Sequence, residues 1–240
     1  MKTAEYIAYT IDRFPNGYVF TYADFVTEVN KKEAVIKALN RMVASGKIEK
    51  LSKGKYYKPE ATPFGNLQPS QKQIVKDLLE DNGKVTGYLT GFSIYNTLGL
   101  TTQVGNIIQI GKNVIRPDFK RGSYKISFIR QKNTITKDNI PLFQILDSIR
   151  YVKRIPDTTI EASAKRIQSI IKELSDADVN TIIRLALKYP PSTRALLGAI
   201  LENIQVGNID QLYKSLNPIT KYKLGSLESI LPGVDKWNIV

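Results

Sequence analysis

The stretch Asn30–Lys58, NKKEAVIKALNRMVASGKIEKLSKGKYYK, decides how the first part of this chain is read. At about 100° per residue, Val35, Ile36, Leu39, Met42 and Val43 fall on one side, with Glu33, Ala34, Lys37 and Arg41 opposite. This spacing predicts a helix from about Lys32 to Ser45 whose outward face is small and basic. Gly46 closes it, and Lys47 to Lys58 alternates Ile48, Leu51 and Tyr56 around a turn at Ser52, Lys53 and Gly54, a hairpin pattern. The stretch holds nine basic and two acidic residues, a local charge of +7.

Upstream, Ala4, Ile7, Ala8 and Ile11 recur on one helical face until Pro15, Asn16 and Gly17 stop it. Thr21 and Asp24 resemble a capping box opening a second helix that buries Phe25, Val26 and Val29 and ends at Asn30. Helix, helix, helix and basic hairpin is the order of a winged helix-turn-helix, a DNA-binding unit over residues 1–58. The candidate DNA-binding residues are Lys31, Lys32, Lys37, Arg41, Lys47, Lys50, Lys53, Lys55 and Lys58. Lys37 and Arg41 are expected at the major groove, and Lys53 and Lys55 at phosphates. A Lys-rich hairpin that only keeps a surface soluble is the competing reading. Tyr56 and Tyr57 fit hairpin core better than base stacking.

Downstream, Pro59–Pro69 (PEATPFGNLQP) reads as a linker, residues 70–155 as a small α+β domain and residues 156–240 as an all-helical region, so the fold class expected is α+β. Ser70 with Gln73, Thr158 with Glu161 and Ser175 with Asp178 have capping-box spacing, and Pro190-Pro191 forces a break before a helix near Thr193–Asn203. Strands are expected at Val85–Leu89, Ile107–Ile110, Val114–Arg116 and Lys125–Arg130. Net charge is +4 over residues 1–60, +8 over 61–155 and +1 over 156–240, totalling +13. A charge of this size favours a polyanionic partner for the first two parts and a packing or partner-binding task for the last.

With 240 residues but no histidine and no cysteine, the chain has no soft metal ligand, no Ser-His-Asp triad, no thiol nucleophile and no disulfide. No stretch approaches a membrane span, and Glu5 sits where a signal peptide needs apolar residues, so a cytoplasmic protein without membrane contact is expected. A metal-dependent nuclease would need a second acid beside Asp118, and the following strand YKISFIR has none. The glycines at 87 and 91 belong to no phosphate-loop motif, so no cofactor is expected.

Tyr88–Thr102 (YLTGFSIYNTLGLTT), with NIIQIGKN after it, resembles the middle signature of AbiEi-type antitoxins of bacterial abortive-infection systems, and Lys188–Glu202 (KYPPSTRALLGAILE) resembles a helical segment of their C-terminal region. The resemblance runs from the N-terminus to about Leu224. It implies a non-enzymatic antitoxin that represses its own operon by binding double-stranded operator DNA, as a homodimer or otherwise, and counters a nucleotidyltransferase-type toxin directly or indirectly. A transcriptional regulator without a toxin partner is the alternative.

Overall fold

The structure, a computed structural model, describes residues 3–26, 32–225 and 227–240. The fold is mixed α+β, in two compact units: residues 1–77 with 119–125, and residues 78–118 with 126–240.

The first unit runs α1 (Thr3–Asp12), β1 (Val19–Thr21), α2 (Ala23–Val26), α3 (Lys32–Ala44), β2 (Glu49–Ser52) and β3 (Lys55–Tyr57). The strands form an antiparallel sheet in the order β1-β3-β2. The helical spacing read in the sequence reaches the core: Ile7 and Ile11 of α1 and Val35 and Leu39 of α3 are buried with Phe20, Phe25, Ile48 and Tyr56. Phe20 meets Phe25 edge-on with ring centroids 5.8 Å apart, the geometry that the ring quadrupoles favour. The Asp24 carboxylate accepts from the Thr21 amide at 2.7 Å and opens α2. Val29 and Asn30 lie outside the described residues.

Residues 59–69 are not extended linker. They form the hairpin β4 (Glu60–Thr62) and β5 (Gly65–Leu67), with Phe64 fully exposed at its turn. Ser70 caps α4 (Gln71–Ile74), accepting from the Gln73 amide. The Gln73 side chain does not return to close the box; it accepts from the Val19 amide of the sheet. The helical segment also breaks at Val75 before α5 (Lys76–Leu79).

The second unit carries β6 (Glu80–Asp81), β7 (Lys84–Val85), β8 (Gly87–Thr90), β9 (Ile107–Lys112) and, from Ile126 on, β11 (Tyr124–Arg130), while β10 (Phe119–Arg121) and the first two residues of β11 count with the first unit. The large sheet has the order β10-β11-β9-β8. Residues 114–116, expected as strand, are exposed loop. Five helices follow: α6 (Ile140–Arg150), α7 (Ile160–Lys172), α8 (Asp176–Ala186), α9 (Pro191–Asn203) and α10 (Asp210–Lys214). One continuous core runs from Tyr88 of β8 through α6 to Ile239, so the contacts draw no boundary at residue 155. The cap of α7 is Thr159, one residue past the expected Thr158, while Ser175 caps α8 as its spacing predicts.

Helix α9 is the axis of this core, buried continuously from Ala195 to Leu201. Gly198 makes room for Trp237, which donates from Nε1 to Glu202 at 2.6 Å; a Cβ at Gly198 would lie 2.1 Å from the indole. Gly198→Ala should therefore destabilise the unit by about 2 kcal/mol despite alanine's better helix propensity, because overpacking outweighs that gain. Trp237 is the single tryptophan, so the loss is read as an earlier thermal transition in its fluorescence; an unchanged midpoint would contradict the tight seat.

Candidate nucleic-acid interface

The structure sorts the nine candidate cations by what their side chains touch. On α3, Lys32, Lys37 and Arg41 are exposed, while Val35, Ala38 and Leu39 of the opposite face are buried. Lys32 Nζ sits 4.7 Å from the Tyr22 ring centroid, a cation–π contact that leaves its charge at the surface. Lys50 of β2 and Lys53 of the hairpin turn are also exposed. These five charges are displayed to solvent from one helix and one hairpin.

Three others have structural tasks. Lys58 Nζ donates to the Asp12 and Phe14 carbonyls at 2.9 Å each, satisfying acceptors left over at the C-terminal end of α1. Lys47 pairs with the Asp12 carboxylate at 2.9 Å. Lys55 lies 3.2 Å from Asp77, which a bidentate Arg121 also grips at 2.6 and 3.1 Å. Burial alone would raise the Asp77 pKa, but the hydrogen bonds and charges of Arg121 and Lys55 hold it below the usual carboxylate range. Lys55 is therefore committed to Asp77 rather than free for a phosphate. Lys31 lies outside the described residues.

Tyr56 and Tyr57 are buried, as their hairpin positions suggested. Tyr56 donates to Asn40 at 3.2 Å, and Tyr57 donates to Glu49. Asp118 is exposed, and among the described residues no three of His, Cys, Asp or Glu gather into a metal-binding group.

The second unit holds a buried polar cluster that sequence spacing did not reveal. Asp147, with no exposed surface, accepts from Thr90 at 2.7 Å, Tyr88 at 2.8 Å and Tyr189 at 3.0 Å. Gln131 Nε2 donates to both tyrosine oxygens, at 2.9 and 2.7 Å, so each tyrosine keeps its own hydrogen for Asp147. The Tyr88 ring lies over Gly111, the residue across the strand pair, where a Cβ would come within 2.3 Å of it. Burial pushes the Asp147 carboxyl up, while the Thr90, Tyr88 and Tyr189 hydroxyls and the Arg150 charge oppose that. With three hydroxyls donating to Asp147, the cluster binds β8, the residue after β11, α6 and the α8–α9 turn together.

In its fold the chain is similar to the crystal structure of the RV2827C protein from Mycobacterium tuberculosis, with a TM-score of 0.59, 15% identity, and 92% of this chain and 83% of that one covered. Residues 6–179 match a family described as "Family of unknown function (DUF6088)". No curated protein matches the chain.

Proposed function

This chain belongs to the DUF6088 family, whose function is unknown, and we propose that it is a DNA-binding antitoxin whose first unit is a winged helix-turn-helix. In this reading α1, α2 and α3 are the three helices, α3 is the recognition helix, and β2 and β3 form the wing. The observation that carries the proposal is the exposed basic set on α3 and the wing, Lys32, Lys37, Arg41, Lys50 and Lys53, with Lys37 and Arg41 opposite the buried apolar face of α3. A helix with such a face can enter a major groove while wing lysines neutralise phosphates.

The antitoxin assignment rests on the resemblance of residues 88–102 and 188–202 to AbiEi-type proteins. It makes the chain a non-enzymatic repressor of its own operon, paired with a nucleotidyltransferase-type toxin. The first test is titration of the full chain onto the duplex upstream of its gene at rising salt. Log affinity should fall linearly with log salt, and salt-independent association would overturn the DNA reading. The second is co-expression with the neighbouring gene product: rescue of growth supports the antitoxin, whereas DNA binding without rescue leaves a regulator alone.

A further inference from the structure

On the second unit a cleft of about 510 Å³ opens between the end of β11, the last residue of α6 and the turn from α8 into α9. Five cations line it: Arg130, Lys132, Arg150, Lys188 and Arg194. A recess of about 330 Å³ shares Arg150 and Pro190 with it and adds Lys153, Arg154 and Lys223. Among the described residues no carboxylate stands in either wall. Asp147, one turn before Arg150 on α6, is wholly buried and shared among three hydroxyls.

Like charges gathered without counter-charges repel each other, the more so inside a concave surface where solvent screens less. The cluster is nevertheless held in place from behind. Gln131 and Tyr189, which line the cleft, are fixed by the Asp147 network. Arg150 donates to the Arg130 carbonyl at 3.4 Å, and Arg150 and Arg154 lie 5.0 and 5.3 Å from the centroid of the Tyr151 ring. Pro190 and Pro191, which line the cleft, stiffen the turn and start the thirteen-residue helix α9. The Nε of Arg194, in the first turn of α9, is buried and has no hydrogen-bond partner.

We propose that this cleft binds a nucleoside polyphosphate, its phosphates received by Arg150, Arg194 and Lys188. The volume is that of a small-molecule site. A compact, multiply charged ligand answers five cations lining one cleft, with three more in the recess that shares Arg150 and Pro190 with it, and guanidinium forks match phosphate oxygens. The proposal is independent of the DNA reading, which concerns the first unit.

The test is calorimetric titration of the full chain with ATP, GTP, inorganic triphosphate and adenosine. The triphosphates should bind saturably and adenosine should not. Arg150→Gln with Arg194→Gln should weaken binding about tenfold or more, since a hydrogen bond to a charged group is worth about that factor. Lys84→Gln with Lys172→Gln, which removes as much charge from exposed positions outside the cleft, should leave it unchanged. If the arginine pair lowers the melting transition of Trp237, Lys132→Gln with Lys188→Gln, both exposed, replaces it with the same expectation. Absence of saturable binding, equal loss in the control pair, or binding of single-stranded RNA but not of triphosphate would overturn the proposal.

Discussion

Replacing Asp147 with alanine is expected to destabilise the second unit by about 3 kcal/mol, because three buried hydroxyls lose their acceptor at about 1 kcal/mol each. For a unit of this size that is a fall in melting temperature of ~6–12 °C. Thr90, Tyr88 and Tyr189 would then point their hydrogens into a cavity, and Gln131 would lose the arrangement that makes both tyrosine oxygens its acceptors. Asp147→Asn keeps the volume and one acceptor oxygen and should cost less. The two variants also separate the charge from the hydrogen bonds through pH. Burial raises the Asp147 pKa in the folded state above its ordinary 3.8. A carboxyl so shifted stabilises the fold fully below that ordinary value, and the contribution is lost as pH rises through the folded value. The stability difference between the wild type and Asp147→Asn should therefore shrink, or change sign, as pH rises from about 4 toward neutrality. A difference that does not vary with pH would show that Asp147 has the same pKa folded and unfolded. The measurement is denaturant unfolding followed through Trp237.

The network shows which features were legible in the sequence. Helix α6 was readable from Leu142, Ile145, Leu146 and Ile149, which mark one apolar stripe. The structure buries Phe143, Asp147 and Ser148 as well, since β8, α7, α8 and α9 all pack on this helix. A polar residue inside a helix packed on several sides looks, in one sequence, like part of a solvated face. Its partners Tyr88 and Thr90 lie 59 and 57 residues away. Periodicity cannot report contacts at that separation. The same reason hid the roles of Lys58 and Lys55. Their positions on a basic hairpin were legible, but the acceptors of Lys58 precede it by 46 and 44 residues, and Lys55 meets an aspartate on α5. By contrast, α3 and its cap at Gly46 depend on neighbours within a few residues, and there the spacing finds Val35 and Leu39 of the buried face and the partly buried Met42 and Val43, while Ala38 takes the place expected for Ile36. The cations of the cleft come from β11, α6 and the α8–α9 turn, so only folding brings them together.

That sorting of the hairpin lysines makes the DNA-binding proposal testable in a sharper form. Neutralising Lys37, Arg41, Lys50 and Lys53 together should reduce the salt dependence of duplex binding by about 3.6 in the slope of log K against log salt, if each meets one phosphate, and by less for any that reads a base. All four are exposed, and the structure shows them in no ion pair among the described residues, so folding stability should change by no more than about 0.5 kcal/mol. Lys58→Met is the counterpart. It takes the Lys58 ammonium away from the Asp12 and Phe14 carbonyls and should cost stability, about 1–3 kcal/mol for a lost charged hydrogen bond, while leaving the salt slope of the folded protein nearly unchanged. Lys55→Met should behave in the same way through Asp77, whose carboxylate loses one of its two cations. If Arg41 reads a base edge, its single replacement by glutamine should lower discrimination between operator and random duplex by about 1–3 kcal/mol without lowering the slope. Salt titrations of duplex binding, set beside denaturant curves for the same variants, give both quantities. A quadruple variant that binds duplex with the wild-type slope would show that none of the four meets a phosphate, leaving only Lys32 of the exposed basic set on α3 and the hairpin.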